Sequence, residues 1–278
     1  MRAERTRGTR CRRWPPQSEA PPVPDSPDAR PGTERPETDL VAREVPLQID
    51  VGEQTVALRL RSPGAEDALA VGFLLSTGLV RRREDLRQVA ACGGALPRVR
   101  VDLQPELEER VAVWRARQGA AGIGPATGDP LRAVLGDLPR PPEPATPDPE
   151  ALAAMLDRLR AAQELHRQTG CAHGMALFDG RCQLLTVAED VSRHNALDKA
   201  LGRLLLDGRL PQARICVASS RSSYEIVMRV LRAGLGTLAS AGAPTRLAVD
   251  LAREAGLELI AYLSRARHTR FSPVDAIE

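Results

Sequence analysis

The stretch ARICVASSRSSYEIVMRVLRAGLGTLASAGAPTRLAVDLAREAGLELIAYLS, Ala213–Ser264, decides the fold. ARICVAS, GTLASAG and LELIAYLS are short apolar runs, and SSYEIVMRVLRAG and PTRLAVDLAREAG between them carry helical periodicity. Strands alternating with helices of this length imply right-handed crossovers and predict a mostly parallel sheet. Upstream, MALF and CQLLTV flank Asp179 and Gly180 and read as a hairpin with a two-residue turn. Between the hairpin and the first apolar strand lies EDVSRHNALDKALG, Glu189–Gly202, which opens a helix running from Asn195 to Asp207. A further long helix is predicted from Asp148, a fitting N-cap, and Pro149 to Thr169, with Leu152, Met155, Leu156, Leu159 and Leu165 as its apolar stripe. Residues 148–278 thus read as ββαβαβαβ, an α/β three-layer domain.

The remainder divides by composition. Residues 1–37 are rich in Pro and Arg and offer too little apolar surface to offset ordering entropy, so they are expected to be a disordered tail. Residues 38–118 alternate apolar and polar in EVPLQIDV, QTVALRLR, LRQVAAC and RVRVDLQ, with helical patterns in AEDALAVGFLLSTGLVRRR and PELEERVAVWRARQ, and predict a small α+β domain. Residues 119–147 form an interdomain loop of small residues and a Pro-rich linker. A net charge of +3 is too small to imply a nucleic-acid partner. No apolar run reaches the roughly 20 residues of a membrane span, and no signal segment is evident. Five scattered cysteines suggest a reduced, cytoplasmic setting.

In an open α/β sheet, ligands bind beyond the carboxyl ends of the strands, at helix N-termini. Three junctions there carry unusual residues. The first holds His194, Asn195, Asp198 and Lys199, the only lysine of the chain. The second is Ser219, Ser220, Arg221, Ser222 and Ser223, where hydroxyls, a guanidinium and backbone N–H groups can cradle an anion. The third, from Ser240 to Thr245, is small enough for a ligand to touch backbone. Basic residues Arg265, Arg267, His268 and Arg270 leave the same edge. Together they suggest a phosphorylated ligand such as a nucleotide, with neither a P-loop nor a Rossmann pattern present. Cys182 and Cys216 fall in apolar strands and read as core. Cys171, two residues before His173, is the candidate nucleophile. Nothing supplies a metal site.

VAREVPLQIDV, ALAVGFLLSTGLV, TGCAHGMALFD, EDVSRHNALDKALG, SSRSSYEIV and APTRLAVDLA, in this order, resemble the FdhD/NarQ-type formate dehydrogenase accessory proteins. The resemblance runs from about Val41 to the C-terminus. It implies a cytidine-deaminase-like C-terminal domain, although the deaminase zinc signature is absent. It also implies a cytoplasmic, homodimeric sulfur carrier. Such a protein takes a persulfide from a cysteine desulfurase and sulfurates the molybdenum bis(molybdopterin guanine dinucleotide) cofactor before insertion into formate dehydrogenase or a related molybdoenzyme. The segment matching the family's cofactor-binding stretch is Tyr262, Leu263, Ser264, Arg265, Ala266 and Arg267.

One departure bears on chemistry. The family carries its persulfide on a Cys-x-x-Cys in the interdomain loop, where this chain reads GAAGIGPATG, with Ala121 and Gly124 at the cysteine positions. Cys171 and Ser192 stand where the family usually has glycine. Two functions therefore stay open: a sulfurtransferase whose thiol has moved to Cys171 or Cys92, or a non-catalytic chaperone for the molybdopterin guanine dinucleotide. Whether the chain is an enzyme turns on that choice. A deaminase-like hydrolase is disfavoured for want of a metal site.

Overall fold

The computed structural model describes residues 3–9, 36–92, 96–119 and 138–272. Ala121 and Gly124 lie outside the described residues. From the tail expected to be disordered, β1 (Ala3–Thr9) pairs antiparallel with β2 (Pro36–Ala42), which begins at the end of that tail and runs into the next unit. A backbone ladder needs no apolar side chains, which is why composition did not announce it.

The N-terminal unit is a four-stranded mixed sheet. β3 (Val45–Val51), β4 (Gln54–Arg61), β5 (Leu86–Cys92) and β6 (Arg98–Leu103) lie in the order β4-β3-β6-β5. Helix α1 (Glu66–Ser76) connects β4 toward β5, and α2 (Glu108–Gly119) follows β6. Leu47, Ile49, Val99 and Val101 are fully buried in a core shared with α1. Edge strand β4 inverts the usual pattern: Leu58 and Leu60 are exposed, while Arg61 is buried. The arginines have partners inside. Arg59 lies over the Phe73 ring at 4.7 Å, a cation–π contact, and Arg61 Nη2 is 2.9 Å from Glu66 Oε1.

The C-terminal unit begins with α3 (Pro149–Ala162), capped by Asp148, whose side chain accepts from the Ala151 N–H. The predicted single helix to Thr169 is broken at Gln163, whose ψ of 75° is not helical, and α4 (Glu164–Thr169) starts anew. The break is stabilised from outside, because the Glu189 carboxylate accepts the Leu165 and His166 N–H groups of the new first turn. Strands β7 (His173–Phe178) and β8 (Leu184–Asp190) form the hairpin. Its turn is longer than two residues: the Asp179 side chain accepts from the Arg181 and Gln183 N–H groups, and Cys182 adopts φ 59°. Cys182 therefore belongs to the turn and not to a strand core, whereas Cys216 is fully buried.

Then follow α5 (Arg193–Leu206), β9 (Ile215–Ala218), α6 (Tyr224–Arg232), β10 (Thr237–Ser240), α7 (Arg246–Ala255), β11 (Glu258–Ala261) and β12 (Thr269–Ser272). The sheet order is β12-β11-β10-β9-β7-β8. The neighbours β9, β10 and β11 are parallel, as the alternating pattern requires, while β7 and β12 run against them, so the sheet is mixed. Sequence reading ended the chain in a basic tail after β11; instead it turns back as β12. Successive strand residues face opposite layers. Ala176, Phe178, Ile215, Val217, Ala239 and Ile260 meet the Leu152, Met155, Leu156 and Leu159 stripe of α3. Met175, Leu177, Cys216, Leu238 and Leu259 face the core on the other side, built with α5, α6 and α7. This is the three-layer α/β arrangement.

The two units share that second core, and α1 crosses α5 at backbone contact. A Cβ on Gly72 would stand 1.8 Å from the Asp198 carbonyl oxygen, and one on Gly202 1.9 Å from that of Ala68. Only glycine permits this approach.

Candidate functional site

The densest polar segment, Glu189–Gly202, proves to be a joint. Lys199 is 4 % exposed; its Nζ lies 2.7 Å from Asp190 Oδ2 and donates to the Ser62 carbonyl at 2.8 Å. Asp190 also accepts the Ser62 N–H at 3.0 Å, the Ser192 N–H at 3.0 Å and the Asn195 side-chain amide at 3.2 Å. Asn195 Nδ2 reaches the Leu60 carbonyl at 2.7 Å, and the Ser62 hydroxyl accepts from the Val191 N–H. Side chains and backbone of α5 and its preceding turn thereby occupy polar groups of Leu60, in β4, and of Ser62, just past its end. A buried cation can persist only with such pairing. Asn195, Asp198 and Lys199, expected at a ligand, are buried between the units.

Asp198 continues this seam. Its Oδ1 accepts from the Ser76 hydroxyl at 2.5 Å and from Arg229 Nε at 3.3 Å. Burial raises its pKa against the opposing pull of Arg229, Ser76 and Arg59. His194 Nε2 sits 2.8 Å from Glu225 Oε2. Burial, reinforced by the Arg229 charge, lowers the His194 pKa to about 4, so its ring is neutral at physiological pH.

The open site lies farther along the same sheet edge. Ser220 and Ser222 are buried and hold the loops together: the Ser222 hydroxyl donates to Ser240 Oγ at 2.7 Å, and Ser222 N–H to the Ala243 carbonyl at 3.1 Å. A Cβ on Gly242 would meet the Arg221 backbone at 2.8 Å, so these two junctions touch. Beside them a cavity of about 330 Å³ is lined by Tyr262, Phe271, Arg246, Arg253, Val249 and the turn at Pro244 and Thr245. Tyr262 is 42 % exposed, adopts φ 54°, and its ring lies 6.2 Å from that of Phe271. Rings suit the face of a base, and the remaining N–H groups of Arg246, in the first turn of α7 and paired with Asp250, and of Arg253, in its last turn and donating to the Phe271 carbonyl, suit phosphate. A larger cavity of about 710 Å³, lined by Leu79, Trp114, Leu138 and Arg232 among others, lies beyond the amino end of β10, away from this edge.

The segment after β11 divides by burial. Leu263 is core. Ser264 closes a turn with Arg267, its N–H and hydroxyl both donating to the Arg267 carbonyl. Arg265 holds Asp157 of α3 in a bidentate pair, Nε to Oδ1 at 3.0 Å and Nη2 to Oδ2 at 2.9 Å. Ala266, Arg267 and Arg221 are exposed. Arg270 is directed away, pairing with Glu258 at the amino end of β11 and donating to the Pro147 carbonyl. The sequence reading missed Arg246, Arg253 and Phe271. Arg246 and Arg253 are seven residues apart, about two helical turns, so a helical reading of α7 puts them on one face. Phe271 carried no such signal, because β12 was not foreseen.

Cys171 is exposed, as is Cys92, whereas burial raises the Cys216 thiol to about 12. His173, two residues from Cys171, has its pKa lowered by burial and by the charges of Arg193, His166 and Arg221. His173 stands opposite Asp190 in the ladder, and the next residue, Gly174, exchanges hydrogen bonds with Ser219, its N–H donating to Ser219 Oγ at 2.9 Å and its carbonyl accepting the Ser219 N–H at 3.0 Å, so the start of β7 lies beside the first two junctions. Among the described residues no three His, Cys, Asp or Glu side chains gather as a metal set, and no helix is long and apolar enough to cross a membrane.

The profile of the FdhD/NarQ family matches residues 42–278. The sulfur carrier protein FdhD of Streptomyces avermitilis is 38 % identical over 250 residues, covering 84 % of this chain and 86 % of that protein. Its namesake in Streptomyces coelicolor is 36 % identical over 264 residues, 87 % of this chain and 90 % of the relative. A solved structure described as a formate dehydrogenase accessory protein from Desulfotalea psychrophila superposes with a TM-score of 0.74 at 21 % identity, covering 98 % of both chains, and so shares the fold.

Proposed function

The chain belongs to the FdhD/NarQ family, and from that premise we propose that it is an accessory protein for formate dehydrogenase or a related molybdoenzyme. It binds the guanine dinucleotide end of the molybdenum bis(molybdopterin guanine dinucleotide) cofactor at the β10–β11 edge and delivers sulfur to it. The observation that carries the binding half is the Tyr262 cavity, which two aromatic rings and two arginines of α7, Arg246 in its first turn and Arg253 in its last, line together. The guanine ring stacks on Tyr262, and its phosphates face Arg246 and Arg253.

For the sulfur half, Cys171 takes the place of the loop cysteines that Ala121 and Gly124 have replaced. Its thiolate attacks the outer sulfur of a persulfide on a cysteine desulfurase. A new S–S bond forms on Cys171, and the desulfurase thiolate leaves. Exposure of Cys171 at the edge that carries His173, Arg193 and Arg221 supports this assignment. The chain then acts in the cytoplasm, as a homodimer.

The test is to incubate the full chain with a cysteine desulfurase and cysteine, then measure intact mass. One added sulfur that maps to Cys171 and is lost in C171S supports the carrier. No adduct on any cysteine, with GDP still bound, leaves the second reading, a cofactor chaperone without sulfur chemistry. That reading is favoured by Ala121, which cannot hold a persulfide.

A further inference from the structure

The cavity of about 710 Å³ lies away from the nucleotide edge, enclosed by the carboxyl ends of α1 and α6 and by α2. Leu75, Leu79, Val80 and Leu138 give it an aliphatic wall, and Trp114 an aromatic one. The indole is held in place by Phe73, the two rings meeting edge-on at 6.2 Å and 87°. Helix α2 buries Val111 in the core and lines the cavity with Arg110, Val113 and Trp114, which share one helical face at i, i+3 and i+4. Val113 is 46 % exposed, so this apolar face is open to a ligand.

Two helix C-termini would ordinarily offer this cavity a set of unpaired carbonyl acceptors. Here those acceptors are taken. In α1 the Phe73, Leu74 and Leu75 carbonyls accept from the N–H groups of Thr77, of Leu79 and Val80, and of Gly78, while the Ser76 carbonyl accepts from Arg232 Nη1 at 2.5 Å. In α6 the Arg229, Val230 and Leu231 carbonyls accept from Ala233, Leu235 and Gly234. Gly78 at φ 80° and Gly234 at φ 74° provide the left-handed turns that close both ends. The Thr77 hydroxyl turns back onto the Phe73 and Leu74 carbonyls. What faces the cavity is cationic: Arg81, Arg110 and Arg232 line it, and no Asp or Glu is among the described residues that do. The Arg81 and Arg110 guanidinium groups make no hydrogen bond or ion pair among the described residues, whereas Arg82, Arg100, Arg246 and Arg265 all hold carboxylates.

We propose that this cavity binds an amphipathic organic anion, an aliphatic or aromatic body with a carboxylate- or sulfonate-class head. The body lies against Trp114, Leu79 and Leu138, and the head faces Arg81, which is exposed, and Arg110, which is half-buried. No carboxylate or side-chain amide is among the described lining residues to read the edge of a base. That separates this ligand class from the nucleotide assigned to the Tyr262 cavity, and the two sites do not depend on each other. Because α1 and α2 belong to one unit and α6 to the other, the bound anion bridges the units.

The probe is 8-anilinonaphthalene-1-sulfonate, whose rings match the walls and whose sulfonate matches the guanidinium groups. It is titrated into the full chain, and its emission is read on exciting tryptophan, of which the chain has two, Trp14 and Trp114. Saturation at one equivalent is expected, weakened about tenfold in R110Q and in R81Q, each loss being that of a charge-assisted hydrogen bond. W114F should remove most of the energy transfer. R181Q, in the exposed β7–β8 turn, keeps the affinity within about twofold. The uncharged congener N-phenyl-1-naphthylamine should bind the parent about tenfold more weakly and respond to neither R110Q nor R81Q. Thermal unfolding of each variant verifies the fold, and R81Q serves if R110Q unfolds. Absence of saturable binding, or equal affinity in R110Q, R81Q and the parent, overturns the site. A congener that binds as tightly as the sulfonate overturns the anionic class. Saturating GDP is expected to leave the probe in place, and its displacement by GDP would overturn the separation of the two sites. Failure of GDP to bind while the probe is still held would sink the nucleotide reading alone.

Discussion

The two ends of one sheet edge carry similar residues and use them in opposite ways. At β8, Asp190, Asn195 and Lys199 are buried and bonded to backbone at the end of β4, Asn195 to Leu60 and the other two to Ser62 just beyond it. At β11, Tyr262, Ala266 and Arg267 remain exposed beside a cavity. The difference arises from what lies opposite. The N-terminal unit covers the β8 end through α1 and β4, and nothing among the described residues covers the β11 end. A high density of charge in sequence therefore marks a place where polar groups must be satisfied. Whether protein or ligand satisfies them depends on what packs there.

This contrast can be broken most forcefully at the joint. Lys199→Met leaves Asp190 buried without its cation and is expected to cost about 3–5 kcal/mol in chemical denaturation. A loss below about 1 kcal/mol would mean that the joint does not depend on the pair. Next, Gly202→Ala pushes a methyl into the Ala68 carbonyl and is expected to cost about 1–3 kcal/mol or more, with the larger part appearing as a faster unfolding rate if α1 docks late in folding. At the open end, Tyr262→Ala should leave stability nearly unchanged and weaken GDP binding about tenfold, as expected for loss of one base–aromatic contact. Unchanged affinity would place the base elsewhere.

The smallest expected effect is on the pH profile. His194 titrates near 4 in the folded chain and near 6.5 when unfolded. Between those values the unfolded chain binds more protons, so stability is complete above 6.5 and falls as pH drops toward 4. The lowered His173 pKa adds in the same direction. His194→Gln should flatten the dependence of unfolding free energy on pH within that window. An unchanged slope would assign it to His173 or to the carboxylates.

Much of the fold was legible because its signals are local. Alternating apolar runs and helical stripes between Ala213 and Ser264 give the α/β order, and the small-residue turns give the edge. Other features were not legible because their causes lie far along the chain. The helix from Asp148 breaks at Gln163 because Glu189, 24 residues beyond Leu165, caps the new start. Arg59 and Arg61 sit inside a strand whose leucines point outward because Phe73 and Glu66 wait on α1. In the candidate site, the SSRSS and small-residue junctions could be read, while Arg246, Arg253 and Phe271 could be assembled only once β12 folded back.

By itself the sequence determined the alternation of strands and helices between Ala213 and Ser264, the apolar stripes those elements bury and the family the chain resembles, since each follows from residue spacing and motif. Only the tertiary structure decided that Lys199 serves a joint and Tyr262 an open cavity. That choice depends on burial, and burial is set by the close crossing of Gly72 and Gly202 that brings β4 onto α5.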